Sequence, residues 1–394
     1  MISFTTAGES HGKGLVAVLE GIPAGLPLVA DDVDWELRRR MAGHGRGARM
    51  KIEADAVEIL SGVRAGETIG SPIAMLIRNL DWDNWAEIMA PEPDGAGAGP
   101  RRRRLTRPRP GHADLVGVLK YGRDDARDIL ERASARETAA RVACGAVCRR
   151  LLTEFGVEIG SHVVELGPVS APPLADLPTP LNEAADRSPV RCLDDEASRA
   201  MVEEIDAAQR DGDTLGGIAE VVARGVVVGL GSHVSWDRRL DGRLAHAVMS
   251  IQAVKGVEIG AGFEGARHRG SEVHDAIVRS KDRGAGGVSR QSNRAGGTEG
   301  GITTGEPIVV RAAMKPISTL RQPIETVSLE TGEQAQAQSE RSDVTAVPAM
   351  GVIAEGMVAI VLAQALVEKF GGDSLTETQR NYDAFVTCVG DRWP

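Results

Sequence analysis

Three short patterns occur twice in this chain, in the same order, and that repetition constrains the fold more than any compositional feature. Gly21-Ile22-Pro23-Ala24-Gly25-Leu26 echoes Gly225-Val226-Val227-Val228-Gly229-Leu230, each after an apolar, strand-like run. Val57-Glu58-Ile59-Leu60-Ser61-Gly62 echoes Val257-Glu258-Ile259-Gly260-Ala261-Gly262, and Gly70-Ser71-Pro72-Ile73 echoes Gly305-Glu306-Pro307-Ile308. The offset is about 200 residues for the first two echoes and larger for the third, so the second copy carries an insertion. Between the first and second echo of each copy lies a helical pattern. One runs over 31–41, with Asp31 or Asp32 as N-cap; the other runs over 240–254, where Leu244, Ala247, Val248 and Ile251 fall at helical spacing. The unit reads strand, helix, strand, strand, and short Gly-containing turns favour antiparallel pairing. Two such units that bury their helices against each other predict an α+β fold. It is a sheet–helix–sheet (β-α-β) sandwich with internal pseudo-twofold duplication of a β-α-β-β unit, the repeats spanning approximately 1–80 and 210–315 of a single domain over 1–394.

Other segments fill in around these repeats. A helical stretch over 123–154 is interrupted near Ser134, and Ser134 with Glu137 fits a capping box opening its second part. A very apolar segment near 345–370 contains Glu355 and Glu368 and is bounded by Pro348 and Gly371-Gly372, which reads as a buried helix rather than a membrane span. Residues 168–189 are Pro-rich and read as a connecting excursion, and 89–99 as a mobile loop.

Several function classes are disfavoured by composition. The net charge of −10 and an aromatic content of 3% speak against a nucleic-acid surface with stacking platforms. The four cysteines, Cys144, Cys148, Cys192 and Cys388, form no CxxC pair, which predicts a reduced cytoplasmic protein. No basic region followed by an apolar run opens the chain, so neither a leader nor a membrane partner is expected. Metal-ligand spacings are absent, and Gly8-Glu9-Ser10-His11-Gly12 is not a nucleophile elbow.

The chemistry-bearing segments are loops rich in cations and histidine. Arg107-Pro108-Arg109-Pro110-Gly111-His112-Ala113-Asp114 holds a titratable side chain behind two arginines on a proline-stiffened backbone. That suits an anionic ligand and proton transfer. His11 lies in a second loop between small residues. Arg38-Arg39-Arg40, His44, Arg46, Arg49 and Lys51 end a helix in a Gly-rich loop, readable as a solvated face or as an anion site. Arg101–Arg104 reads as a solvated loop. Arg132 and Arg136 flank a helix start, a position that favours anions. The glycines of 293–305 permit either a hairpin or close approach of backbone to a ligand. Lys315-Pro316-Ile317-Ser318-Thr319 adds a cation, a turn and two hydroxyls, and Arg341-Ser342-Asp343 sets a cation beside a carboxylate.

In this order, these segments closely resemble the chorismate synthase family over nearly the full chain. The resemblance implies an anti-1,4-elimination of phosphate and the C6 hydrogen from 5-enolpyruvylshikimate 3-phosphate, dependent on reduced FMN, in a homotetramer. His11 matches the histidine near the leaving phosphate and His112 the one beside the flavin. Asp343 matches the carboxylate that assists C6-proton removal. Arg40, Arg46, Arg49, Arg109 and Arg136 match substrate-binding positions, the first two also being places where NADP is assigned. Arg132, Ala133, Ser134, Gln252, Ala253, Gly300, Lys315, Pro316, Ile317, Ser318, Thr319 and Arg341 match the flavin-contact segments. Ala133 stands where many members carry serine, so only its backbone contact is carried over. The chain has no dinucleotide fingerprint and no reductase domain, so reduction by an external flavin reductase is favoured over reduction by NADPH on the enzyme itself. A separate flavin reductase activity is the alternative reading.

Overall fold

In the computed structural model the described residues are 1–47, 54–92, 104–280, 286–338 and 343–392. The N-terminal segment folds as β1 (Ser3–Ala7), β2 (Gly14–Glu20), α1 (Ala30–Met41), β3 (Val57–Ile59) and β4 (Ile73–Arg78). These strands make an antiparallel sheet in the order β1-β2-β4-β3. The alternation of apolar residues along β2 and β4 puts Leu15, Ala17, Leu19, Ile73, Met75 and Ile77 on the buried face. The second sheet contains β5 (Glu158–Leu166), β6 (Gly217–Arg224), β7 (Val254–Ile259) and β8 (Ile308–Met314), with α6 (Leu240–Met249) between β6 and β7. Its order is β5-β6-β8-β7, again antiparallel throughout. The two sheets therefore share one strand order; the first echo follows β2 and β6, the second covers β3 and the end of β7, and the third leads into β4 and β8. In the second sheet β5 pairs with β6 along its length.

Between the sheets lie α4 (Thr138–Thr153) and α7 (Val347–Phe370), which pack on each other; α4 rests on the first sheet and α7 on the second. One hydrophobic cluster joins both sheets and the helices. Helix α7 is long and apolar enough to cross a membrane, yet nearly all of it is buried inside the protein. The α4–α7 crossing depends on the absence of side chains at one point. A Cβ on Gly145 would sit 2.5 Å from the Cα of Gly356, inside van der Waals contact.

The buried Glu355 gives the helical layer a polar hub. It accepts hydrogen bonds from Arg39 (2.9 and 3.0 Å), Ser161 (2.6 Å), Asn182 (3.0 Å), Arg191 (3.0 Å) and also Arg149. Glu36 pairs with Arg39 (2.7 Å) and Arg149 (2.8 Å), while Asp186 pairs with Arg39 and Arg191. Three guanidiniums thus balance three carboxylates, the arrangement that lets charges stay buried.

Local differences from the sequence reading have identifiable causes. Helix α1 starts at Ala30 with Val29 at the N-cap; Asp32 instead accepts from the Val29 N–H at 2.8 Å, closing the turn from inside. Helix α6 stops at Met249, not 254, because the backbone turns at Ser250 and Ala253 takes φ +67° before β7. The 123–154 stretch splits into α3 (Arg127–Ala133), a short 3₁₀ turn and α4, with extended backbone at Ser134. Ser134 Oγ accepts from the Arg136 N–H (3.3 Å), but Glu137 does not complete a box. Its carboxylate is drawn away by Thr6 (2.7 Å), Arg141 (2.9 Å) and Gln252 (3.0 Å).

Candidate active site

Two clusters of the expected residues form on one side of the helical layer. In the first, α1 presents Arg40 and the 3₁₀ turn before α4 presents Arg136, both buried. Arg40 donates to Thr138 Oγ1 (3.0 Å) and the Ala135 carbonyl (2.9 Å), and its Nη1 lies 3.5 Å from Asp55 Oδ2. Arg136 donates to Asp55 Oδ1 (2.5 Å) and Asn79 Oδ1 (3.0 Å). Arg46 pairs with Asp343 at 3.3 Å, and the Gly47 N–H donates to the same carboxylate at 2.6 Å. Burial, only partly offset by Asp55 and reinforced by repulsion from Arg136 and Arg46, pulls the Arg40 guanidinium down to about 10. Three arginines drawn this close, with two carboxylates among them, leave room for further negative charge.

Asn79 couples this cluster to the His11 loop. Its amide donates to the carbonyls of Gly12 (2.7 Å) and Glu9 (3.1 Å) while its oxygen receives Arg136. Ser134 Oγ donates to Ser10 Oγ at 3.2 Å. His11 is mostly enclosed, with Nδ1 3.0 Å from both oxygens of Glu131.

The second cluster surrounds His112. Its Nδ1 lies 2.5 Å from Asp114 Oδ1, the first residue of α2 (Asp114–Tyr121). Arg109 folds back on the same carboxylate through Nε (2.8 Å) and Nη2 (3.1 Å), and its Nη1 donates to Thr319 at 3.0 Å. Burial pushes the Asp114 carboxyl up, but His112 and Arg109 overcome it and hold it well below the usual carboxylate range. Gly111 takes φ +78°, which turns its carbonyl onto Lys315 Nζ (2.6 Å) and Ser318 Oγ (3.1 Å). Thus the RPGHAD loop and the Lys315–Thr319 turn, far apart in sequence, are one bracket.

Contacts run from this bracket back to the first cluster. Lys315 N–H donates to the Ala253 carbonyl (3.0 Å), and Gln252 Nε2 to Glu137 (3.0 Å). Arg132 lies 3.7 Å from Glu137 and donates to Thr6 and Gly8. Hydrogen bonds and ion pairs through Ser134, Arg132, Glu137, Gln252, Ala253, Lys315 and Ser318 thus make a path of contacts between the two histidine loops. Gly300 stands apart, in the turn of a hairpin (Thr298–Glu299 with Ile302–Thr303) beside the N-terminus of α6. Gln252 and Ala253 follow the other end of that helix, about 15 Å away along ten residues. Arg49 and Arg341 lie outside the described residues, as do Lys51, Arg101–Arg103 and 93–99.

Along the path, two features fit an anionic, hydrogen-bonding cofactor. Gln252 Oε1 is buried with no hydrogen-bond partner among the described residues. Lys315 and Lys255 are close enough that burial, and then their mutual repulsion, lower the Lys315 ammonium. Among the described residues neither forms an ion pair, a donor set that suits a phosphate. Asp55, Asn79, Glu131 and Lys255 are members of this site that sequence reasoning did not single out. Only Glu131 had a signal, four residues after Arg127 at helical pair spacing.

Comparison with known proteins agrees with these features. A family model described as Chorismate synthase matches residues 2–367. A chorismate synthase of Streptomyces coelicolor is 60% identical over 391 residues, covering 98% of each chain. One of Thermobifida fusca is 57% identical over 395 residues, covering 99% of each. A solved structure titled as the crystal structure of chorismate synthase superposes with a TM-score of 0.79 at 46% identity, over 99% of this chain and 98% of that one.

Proposed function

This chain belongs to the chorismate synthase family, a phosphate-eliminating lyase of aromatic biosynthesis, and we propose how its residues divide the work. The substrate, 5-enolpyruvylshikimate 3-phosphate, loses its phosphate and a C6 proton to give chorismate. Reduced FMN, which the family uses, supplies electron density that assists C–O cleavage and is recovered at the end. The observation that carries the assignment is the convergence of Arg40, Arg46 and Arg136 next to the His11 loop, a cation-rich cluster with an acid–base group at its edge.

Arg40, Arg46 and Arg136, with Arg49, bind the carboxylates and phosphate of the substrate. Asp55 and Asn79 hold the guanidiniums in fixed directions, so binding does not begin with their reorganisation. His11 donates the proton that the departing phosphate needs. Asp343, oriented by Arg46 and the Gly47 N–H, assists removal of the C6 proton. Arg109 acts through Asp114 and His112, since its guanidinium is engaged by them and by Thr319. His112, its Nδ1 fixed by Asp114, would be the histidine that serves bound FMN.

The residues that would hold FMN are Arg132, Ala133 through its backbone, Ser134, Gln252, Ala253 and Lys315–Thr319, with Gly300 and Arg341 completing the family's segments. The orphaned Gln252 oxygen and the Lys255–Lys315 pair support this reading. We also read the shared strand order of the two sheets as an internal duplication. A homotetramer, reduction by an external flavin reductase and a cytoplasmic setting complete the proposal. Four free cysteines are consistent with that reducing compartment.

The test is anaerobic turnover with chemically reduced FMN, following phosphate and chorismate together. Equal appearance of both, and none with oxidised FMN, is expected. NADPH as sole reductant should give no turnover; product under that condition would establish a bifunctional enzyme instead. Reduced, flavin-bound protein that releases no phosphate would overturn the assignment.

A further inference from the structure

His11 is held in a closed circuit of side chains that no sequence motif marks. Both oxygens of Glu131 lie 3.0 Å from His11 Nδ1, and the His11 backbone N–H donates to Oε2 at 2.9 Å. The Ser10 N–H donates to the Glu131 carbonyl at 2.9 Å, so backbone and side chain are gripped together. One face of the imidazole stacks on Trp85, with centroids 3.9 Å apart and planes 28° from parallel. The Trp85 indole N–H is fixed on Asp81 at 2.9 Å. Arg127 lies 5.0 Å from the Trp85 ring centroid and pairs with Glu131 at 2.9 Å, which closes the circuit.

Each contact removes one freedom of the ring. A carboxylate at Nδ1 makes that nitrogen the N–H, so proton exchange with a ligand falls to Nε2. The stack fixes the ring plane. Arg127 keeps the buried carboxylate charged: burial pushes the Glu131 carboxyl up, but His11 and Arg127 hold it below the usual range. Glu131 also stands on α3, whose last residues are Arg132 and Ala133, so one rigid helix sets both the histidine and part of the proposed flavin path.

We propose that Glu131 is the positioning residue for His11, fixing its tautomer and ring orientation so that Nε2 serves the departing phosphate. The proposal rests on the reading of His11 as the proton donor. Glu131 is therefore not a catalytic residue itself; it acts through the imidazole.

The experiment uses the full chain reconstituted anaerobically with chemically reduced FMN. Glu131→Ala is expected to lower kcat by roughly 100-fold, the smaller end of what a positioned acid–base group contributes. KM for 5-enolpyruvylshikimate 3-phosphate should stay within about twofold, because no substrate contact is removed. Formate, which fits the space left by the carboxylate, should restore kcat by about tenfold in Glu131→Ala and leave His11→Ala unchanged. Glu131→Gln, the same shape without the charge, should fall between wild type and Glu131→Ala and serves if the alanine variant does not fold. Wild-type kcat in both Glu131 variants, with His11→Ala inactive, would overturn the positioning role alone. Loss of kcat in Glu131→Ala without formate rescue, accompanied by a lowered melting temperature, would mark Glu131 as structural and also overturn it. Wild-type kcat in His11→Ala would sink the reading of His11 itself.

Discussion

Replacing Glu355 by glutamine tests how much of the stability rests on the buried charge hub. The side chain is fully buried and touches three guanidiniums, Arg39, Arg149 and Arg191. Glutamine keeps the shape and can still meet Ser161 and Asn182, but it leaves three cations facing only Glu36 and Asp186. Breaking a buried ion pair from one side costs about 3–5 kcal/mol, because the remaining charge has lost both water and partner. Spread over an unfolding entropy that scales with chain length, this lowers the melting temperature by roughly 4–6 °C. The assay is a thermal melt at fixed protein concentration. The pH dependence gives a second reading. Burial pushes the Glu355 carboxyl up, and Arg39, Arg149 and Arg191 hold it far below its ordinary 4.5. A carboxyl depressed in the folded state contributes stability that is present above its unfolded value and lost as pH falls below it. Wild type should therefore lose stability faster than Glu355→Gln on acidification from pH 5 to 3. An unchanged melting temperature at pH 7, or parallel acid profiles, would refute the claim that the hub is a net stabiliser.

Three further outcomes follow from local geometry. Asp114→Asn removes the charge that orients both His112 and Arg109, so turnover with reduced FMN should fall by roughly 100-fold, and the melting temperature should fall as well because a buried carboxylate held low by its partners contributes stability at pH 7. Gly145→Ala drives a Cβ into the Gly356 backbone and should destabilise by about 1–2 kcal/mol after the gain in helix propensity, measured by denaturant titration. In the same titration Gly242→Ala in α6, where the nearest heavy atom would be 4.0 Å away, should do the opposite.

Much of this was legible in the chain. The echoes at Gly21 and Gly225 marked equivalent turns after β2 and β6, and Glu355 in an apolar run pointed to a buried helix with something to satisfy. The histidine and arginine loops could be seen because proline and glycine punctuate them. What could not be seen was set by contacts distant in sequence. Asp55 and Asn79 belong to no pattern; their roles exist only because β4 and the turn before α4 meet. Glu137 looked like a helix cap until Thr6, Arg141 and Gln252 competed for it. Strand β5 was missed because its partner β6 lies beyond two helices and a proline-rich excursion. Gly300 shares its motif-like appearance with the flavin segments yet sits at the other end of α6, and no local spacing encodes that separation.

The position of α7 has a consequence for how the protein is made. The helix on which the second sheet and α4 both pack is encoded at 347–370, long after the first sheet is complete at Arg78. At ribosomal speeds of about 5–20 residues per second, the roughly 270 intervening residues take some 15–55 s to emerge. Until α7 emerges, the apolar face of the second sheet and the side of α4 that meets α7 are without their partner. A chain truncated before α7 is therefore expected to expose that apolar surface and aggregate rather than persist as a smaller domain, which light scattering of the truncated protein would check.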